Sequence, residues 1–400
     1  MHDFKKAVQA GICTNVVLLL QQDDIPLHPK PSLAADTFYQ LLNIKDMRNI
    51  YRLTAGTLCA AAMTAGLNSC QPQNCITCEE EGQPAVLTLS LESDISRSTS
   101  SQTQEQDNTI NTLDVFIFRD GDPDAADYQR LDTYKRFEGD ALADLSLSTT
   151  TGTKHICVIA NSNISTYAGI TTLTAFRSLA ASLADETLAD FTMYGEATQT
   201  LGVTSSVSIL LTRLISRIAV TSIRTSFAGS PYQGMSLTDC RLFLTNVHAS
   251  KLIYNNGNPD TPVIFNEGAL SGEDVNSTAE AGLLMDNIAE AITDQAYTTA
   301  HYLYCYSNET DVIDSSTKLV LQADLDGVTY YYPIPVNQTG YGYLEENGHF
   351  GIRRNTAYSF GITVTRPGSL DPETPVVPGT LEITLEKADW NIIPNFDKVF

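Results

Sequence analysis

Positive charge is what this sequence has least of. Its 400 residues include 24 Lys and Arg against 47 Asp and Glu, a formal net charge of −23 with an isoelectric point near 4.5. Phosphates and anionic lipids are held by clustered cations, so neither a nucleic acid nor an anionic membrane face is an expected partner. Histidine is scarce as well: six residues, at 2, 28, 155, 248, 301 and 349, with no H-E-x-x-H and no close pair to hold a metal. Glycine-rich phosphate loops and a G-x-S-x-G elbow are missing. No catalytic residue, metal or cofactor is therefore assigned, and an enzyme is not expected. A hydrolase whose site is assembled from distant residues is one competing class. Long apolar runs are also rare. The uncharged stretch Leu53 to Leu67 has 15 residues, too few to span a bilayer well, and nothing after it could do so. What is plentiful is Thr, Ser, Asn and Asp, the usage of exported β proteins with many turns. With 42% hydrophobic and 18% charged residues and a mean hydropathy of −0.10, the chain can bury a sizeable core and is not built for disorder.

From Met47 the chain reads MRNIYRLTAGTLCAAAMTAGLNSC. Arg48 and Arg52 form a short basic region, the uncharged run follows, and Leu67-Asn68-Ser69-Cys70 closes it, as in a signal peptide over 47–69. The closing tetrapeptide resembles the lipobox of bacterial lipoproteins. That resemblance implies that the Cys70 thiol takes a diacylglycerol and becomes the new amino terminus; the alternative is a buried helix that ends in Cys. Export signals are read near the start of a chain, so Met47 is the expected start and residues 1–46 an upstream extension without assigned function. Residues 70–84, with Glu79 to Glu81, are expected to form a linker.

Cys70, Cys75 and Cys78 have the C-x4-C-x2-C spacing of a plant-type iron–sulfur loop, but the next Cys is Cys157, too far on to complete one. Cys157, Cys240 and Cys305 sit in apolar alternating runs and are expected to be small core residues. The acidic loop Asp120-Gly121-Asp122-Pro123-Asp124 starts like a calcium loop. Ala125 and Leu131 stand where that loop needs Gly and Glu, so a solvated turn is expected.

The body of the chain is written in strands. In Ala85 to Leu91, Val86, Thr88 and Ser90 share one face and Leu87, Leu89 and Leu91 the other, the pattern of a half-buried strand. Similar runs occur at 113–118, 155–160, 207–211, 217–223, 241–247, 318–323, 330–334, 358–364 and 381–385, and helical periodicity is confined to short pieces such as Leu173 to Leu188 and Ala279 to Ala291. Strands with so few helices between them predict antiparallel sandwiches. A Thr/Ser/Gly-rich turn near Ser205 is the expected boundary between a domain at 85–204 and one at 205–400. The Tyr-rich stretches Tyr302 to Tyr306 and Tyr330 to Tyr343 are expected in the core or in cross-strand pairs rather than as a sugar platform.

Taken in order, VLTLSLESDISR, INTLDVFIF, KHICVIANSN, LTRLISRIAVTSI, GIRRNTAYSFGITVTRPGSLDP and GTLEITLEKADW resemble the major fimbrial subunits (fimbrillins) of the Bacteroidales across roughly 85–400. Arg354, Asn355 and Tyr358, the Gly368 to Pro372 turn and Trp390 carry the most specific part. The resemblance implies two transthyretin-like antiparallel β-sandwich domains in tandem, in a pilin that reaches the cell surface as an outer-membrane lipoprotein precursor via the periplasm. It also implies that an Arg- or trypsin-like protease cuts after an Arg beyond the first strand, here Arg97 before Ser98, removing 85–97. Another copy or a related pilin then fills the opened groove by strand addition. Arg97 lies in a hydroxyl-rich stretch of the kind proteases nick, its plain alternative being a solvated loop residue. Leu381, Ile383 and Leu385, with Ile392, Ile393, Phe396 and Val399 in the tail, are the candidate donor residues. The competing roles are a tip or anchor subunit, or a non-polymerising glycan-binding surface lipoprotein, with a host protein or glycan as a further partner.

Overall fold

The computed structural model describes residues 81–92, 109–267, 281–342, 348–376 and 380–389. The longer strands are β1 (Pro84–Glu92), β2 (Thr112–Arg119), β3 (Leu131–Glu138), β4 (Ser146–Thr150), β5 (Gly152–Ala160), β6 (Met193–Leu201) and β7 (Thr204–Leu210). They continue with β8 (Ile215–Thr225), β9 (Thr238–Thr245), β10 (His301–Tyr306), β11 (Lys318–Leu325), β12 (Val328–Pro335), β13 (Thr356–Val364) and β14 (Leu381–Asp389). Alternation of apolar and hydroxyl side chains gives each strand one face to bury.

Two β-sandwiches result. In the first, the sheet β4-β1-β7 faces the sheet β3-β2-β5-β6, extended by Thr212–Arg213. Leu87 and Leu89 of β1 share a core with Leu113, Val115 and Ile117 of β2 and Ile156 and Val158 of β5. In the second, the sheet β10-β8-β13-β14 faces β9-β11-β12, which Met285–Asn287 extends at the β9 edge. Ile218, Phe360 and Leu242, Leu319, Ile334 meet in its core. Thr204–Leu210 pairs with β1 and Thr212–Arg213 with β6, so the chain stays in the first sandwich through Arg213 before β8 begins.

The pairing is antiparallel with one parallel exception in each sandwich, β1 with β7 and β8 with β13. The arrangement is the same twice: β1 lies between antiparallel β4 and parallel β7, as β8 lies between antiparallel β10 and parallel β13. The second sandwich differs by carrying β14 on the outer edge of β13.

β2 is buried on both faces. Phe116 and Phe118 point away from the first core, against Phe176 and the segment 161–191 that roofs the sheet, and this second cluster runs on into the second sandwich. The helix expected over Leu173 to Leu188 is α-helical only at Leu173–Arg177, where the Thr172 hydroxyl caps it by accepting from Ala175 N–H at 3.1 Å, with one further 3-10 turn at Leu183–Asp185. Ala180–Ser182 instead pairs with Ser250–Leu252, so tertiary pairing overrides the local preference. In Ala279 to Ala291 the described part is helical at Ala281–Leu284 and then forms the strand Met285–Asn287 against β9.

Cys157, Cys240 and Cys305 are free and buried, as their apolar surroundings in the sequence implied, and burial pushes each thiol up to about 12. The Arg353 to Tyr358 corner is held by the Tyr358 hydroxyl, which accepts from Arg353 N–H at 2.9 Å, and by Asn355 in a left-handed conformation (φ 55) whose Oδ1 accepts from Arg213 N–H at 3.3 Å. No helix among the described residues is long and apolar enough to cross a membrane.

Candidate functional site

β1 forms the middle of a three-stranded sheet. It pairs antiparallel with β4 over Pro84 to Thr88 and parallel with β7 from Val86↔Thr204 to Glu92↔Leu210. Leu87 is 0% and Leu89 5% exposed, while Val86 on the opposite face is 46% exposed. The outer face is joined by hydroxyl pairs, Thr88 to Ser146 at 3.3 Å and Ser90 to Ser208 at 2.7 Å. Its entrance is pinned by Thr151, whose N–H donates to the Gln83 carbonyl at 2.8 Å and whose hydroxyl accepts from Gln83 N–H at 3.0 Å.

The slot that β1 occupies is braced at one end by an ion-paired network and closely packed at the other. At one end Asp132, on β3, accepts from the hydroxyls of Thr149 and Thr150 at 2.7 and 2.9 Å and from Arg119 Nε at 3.0 Å, with Lys154 Nζ at 3.5 Å. Burial opposes the Asp132 charge, yet those donors and cations hold its carboxyl below the ordinary range, so the edge of β4 is anchored by an ionised group. At the other end Gly195 lets β7 come close: a Cβ there would lie 2.4 Å from the Leu210 carbonyl oxygen. Neither β4 nor β6 was read from the sequence as a strand, although Leu145, Leu147 and Thr149 alternate across the short β4.

The structure integrates Leu381, Ile383 and Leu385, candidate donor residues, in the edge strand β14. This strand pairs antiparallel with β13 from Thr356↔Asp389 to Val364↔Leu381. Leu385 is buried and Leu381 and Ile383 pack against the second core, so in a single subunit this face serves its own sheet. Cys70, Arg97, Ser98, Ile392, Ile393, Phe396 and Val399 lie outside the described residues. The tyrosines of the two Tyr-rich stretches are buried or half-buried wherever they are described, Tyr304, Tyr306 and Tyr332 almost completely; Tyr343 lies outside the described residues. The acidic loop at 120–124 is an Asx turn, with Asp122 Oδ1 accepting from Asp124 N–H at 2.9 Å.

A side-chain cluster that sequence spacing did not reveal is formed by His155, Cys157 and Glu196, whose ligand atoms lie within 4.8 Å of one another across the β5–β6 ladder. The cluster is hydrogen-bonded within itself: His155 Nε2 contacts Glu196 at 3.0 Å, and Tyr194 donates to Glu196 at 2.6 Å. With its thiol pushed up to about 12, Cys157 offers no preformed thiolate.

Residues 85–226 match the family of the major fimbrial subunit protein (FimA), a family of fimbrial subunits and not of enzymes. The resemblance drawn from the ordered segments thus holds over the first sandwich. The FimA type-5 major fimbrium subunit of Porphyromonas gingivalis is 39% identical over 67 residues, which are 16% of this chain and 17% of that protein. A FimA type-4 subunit from the same species is 36% identical over 75 residues, 18% and 19% of the two chains. The matched stretch spans under a fifth of the length of these curated relatives. Solved structures extend the likeness in fold. A Bacteroides eggerthii structure described as a cell adhesion protein has 19% identity over 79% of this chain and 99% of its own, with a TM-score of 0.58. A Parabacteroides distasonis structure of the same description has 18% identity over 78% and 98%, with a TM-score of 0.58. A fimbrilin from P. gingivalis has 17% identity over 78% and 99%, with a TM-score of 0.56.

Proposed function

We propose that the chain is a structural subunit of a surface fimbria that supports adhesion, exported as a lipoprotein through Cys70, cut between Arg97 and Ser98 by an outer-membrane Arg- or trypsin-like protease, and polymerised by donor-strand exchange. The observation that carries the proposal is the position of β1. It is the first described strand, its covalent link to the sandwich runs through the stretch that contains Arg97, and it is flanked on both sides by ladders. Loss of an edge strand would leave one open edge; loss of β1 leaves two, facing each other across an apolar floor.

Cutting the chain does not by itself expel the strand. Burial of Leu87 and Leu89 contributes about 1.5–3 kcal/mol each, and each ladder hydrogen bond about 1 kcal/mol. Release is favoured when a replacement of similar apolar content supplies the same contacts in turn. The sequence beyond β14 carries Ile392, Ile393, Phe396 and Val399, and β14 fixes its point of departure at the sheet edge. In this reading Leu381, Ile383 and Leu385 support the donor from within their own domain and the tail enters another copy or a related pilin.

Deleting Asn391 to Phe400 tests the proposal. The truncated protein is expected to be folded, exported and cleaved yet monomeric, when cell-surface fractions are examined by electron microscopy and gel electrophoresis. Normal pili from that variant overturn the donor assignment, and failure to fold assigns the tail to its own domain.

A further inference from the structure

A second hollow lies where the Arg353 to Tyr358 corner meets the 248–258 and 307–309 segments. It is a cleft of about 600 Å³, inside the roughly 300–1,000 Å³ range of small-molecule sites. Its lining contains no Phe, Tyr, Trp, Leu, Ile or Val. In a chain with almost twice as many acidic as basic residues, this cleft is lined by Lys251, Arg353 and Arg354 and by a single carboxylate, Glu309. Glu309 pairs with Arg353 Nε at 3.2 Å. Lys251 and Arg354 have no carboxylate within ion-pair distance among the described residues. Lys251 is only 5% exposed, and its ammonium donates to the side-chain oxygen of Asn258 at 2.6 Å. Burying a cation beside a neutral amide is costly unless an anion joins it.

The polar atoms left over define what that anion must carry besides charge. Nη1 of Arg354, Nδ1 of His248 and Oδ1 of Asn256 are each buried without a hydrogen-bond partner. Arg354 Nη1 is a donor and needs an acceptor; Asn256 Oδ1 is an acceptor and needs a donor. Acetate, an acceptor alone, satisfies the first and not the second, and a neutral sugar leaves the cations unmatched. A carboxylate joined to a set of hydroxyls satisfies both.

We propose that the cleft between the Arg353 to Tyr358 corner and the 248–258 segment binds a carboxylate-bearing sugar, with Arg354, Lys251 and Arg353 around the carboxylate and Asn256 and His248 on the hydroxyls. None of its lining residues belongs to the core that β1 fills.

The test is titration of the full chain with glucuronic acid and with N-acetylneuraminic acid, followed by calorimetry and saturation-transfer NMR. Glucose, acetate and inorganic phosphate serve as the neutral and simple-anion probes. At least one acidic sugar is expected to bind with a dissociation constant of about 1 mM or tighter. Arg354→Gln and Arg353→Gln are each expected to weaken it by about tenfold or more. Arg353 is half exposed, so its variant keeps the fold even if Arg354→Gln does not, and an unchanged thermal melt confirms that. No binding of either acid, binding of glucose as tight as that of glucuronic acid, or acetate and phosphate binding as tight as the sugar each overturns the proposal. Affinity unchanged in a folded Arg353→Gln does the same.

Discussion

The Tyr306 hydroxyl donates a 2.8 Å hydrogen bond to Oε1 of Glu186, joining the roof of the first sandwich to β10 of the second. Thr192 N–H donates to the other carboxylate oxygen, also at 2.8 Å. Burial pushes the Glu186 carboxyl up to about 7, against the opposing effect of these two donors. The folded-state value lies above the ordinary 4.5, so the fold prefers the protonated acid. Its stabilising contribution is complete below about pH 4.5 and is lost as pH rises through about 7. Thermal melts of the wild type and Glu186→Gln across roughly pH 4 to 8 check this. The two are expected to melt together at the acid end and the variant to melt higher at the alkaline end. A constant difference across the range rules out titration of Glu186.

The hold on β1 can be measured inside the strand. Leu87→Ala is expected to destabilise the first sandwich by about 2–5 kcal/mol, because the side chain is fully enclosed. Val86→Ala, one residue away on the exposed face, is expected to change stability by less than about 0.5 kcal/mol. Urea unfolding of both variants gives the comparison, and equal losses would show that the two faces of β1 are not distinguished as described.

Maturation is tested at two residues. Cys70→Ala is expected to abolish metabolic fatty-acid labelling and block surface assembly. Arg97→Ala should leave lipidated precursor, and mass spectrometry of wild-type fibres should find Ser98 at the amino terminus. Fibre subunits that still begin at Cys70 would point to an anchor role.

Cys157, Cys240 and Cys305 are expected to resist maleimide in the native protein and to react once it is unfolded, because burial keeps each thiol protonated. Rapid native labelling of any of them, located by peptide mass mapping, would contradict that burial.

What could be read from the sequence was what repeats locally. Leu87, Leu89 and Leu91 alternate with Val86, Thr88 and Ser90, and the buried and exposed faces fall as that alternation dictates, with Leu91 half-buried near the strand end. The helix expected over Leu173 to Leu188 stops at Arg177 because Ala180–Ser182 finds a partner about seventy residues later, at Ser250–Leu252. Glu186 and Tyr306 are 120 positions apart, and the cationic cleft draws on four separate segments. No spacing rule reaches across such separations. Arg354, Asn355 and Tyr358 were visible as a motif, but their geometry, a corner that turns two arginines into one hollow, was not.

Ser90 and Ser208 touch across 118 positions of chain. That contact sets a time as well as a place. β1 is made early, while β7, the parallel neighbour that completes its sheet, is made more than a hundred residues later. At a synthesis rate of about 5–20 residues per second, the strand waits several seconds or longer before its second ladder can exist. During that interval Leu87 and Leu89 are unburied and β1 is an open template for any passing chain. Closing so long a loop is also slow in itself, since its entropy is lost before the parallel ladder forms. A sandwich that closes late on its earliest strand passes through an open state on the way to folding, and the groove of the proposed assembly reaction has the same missing piece.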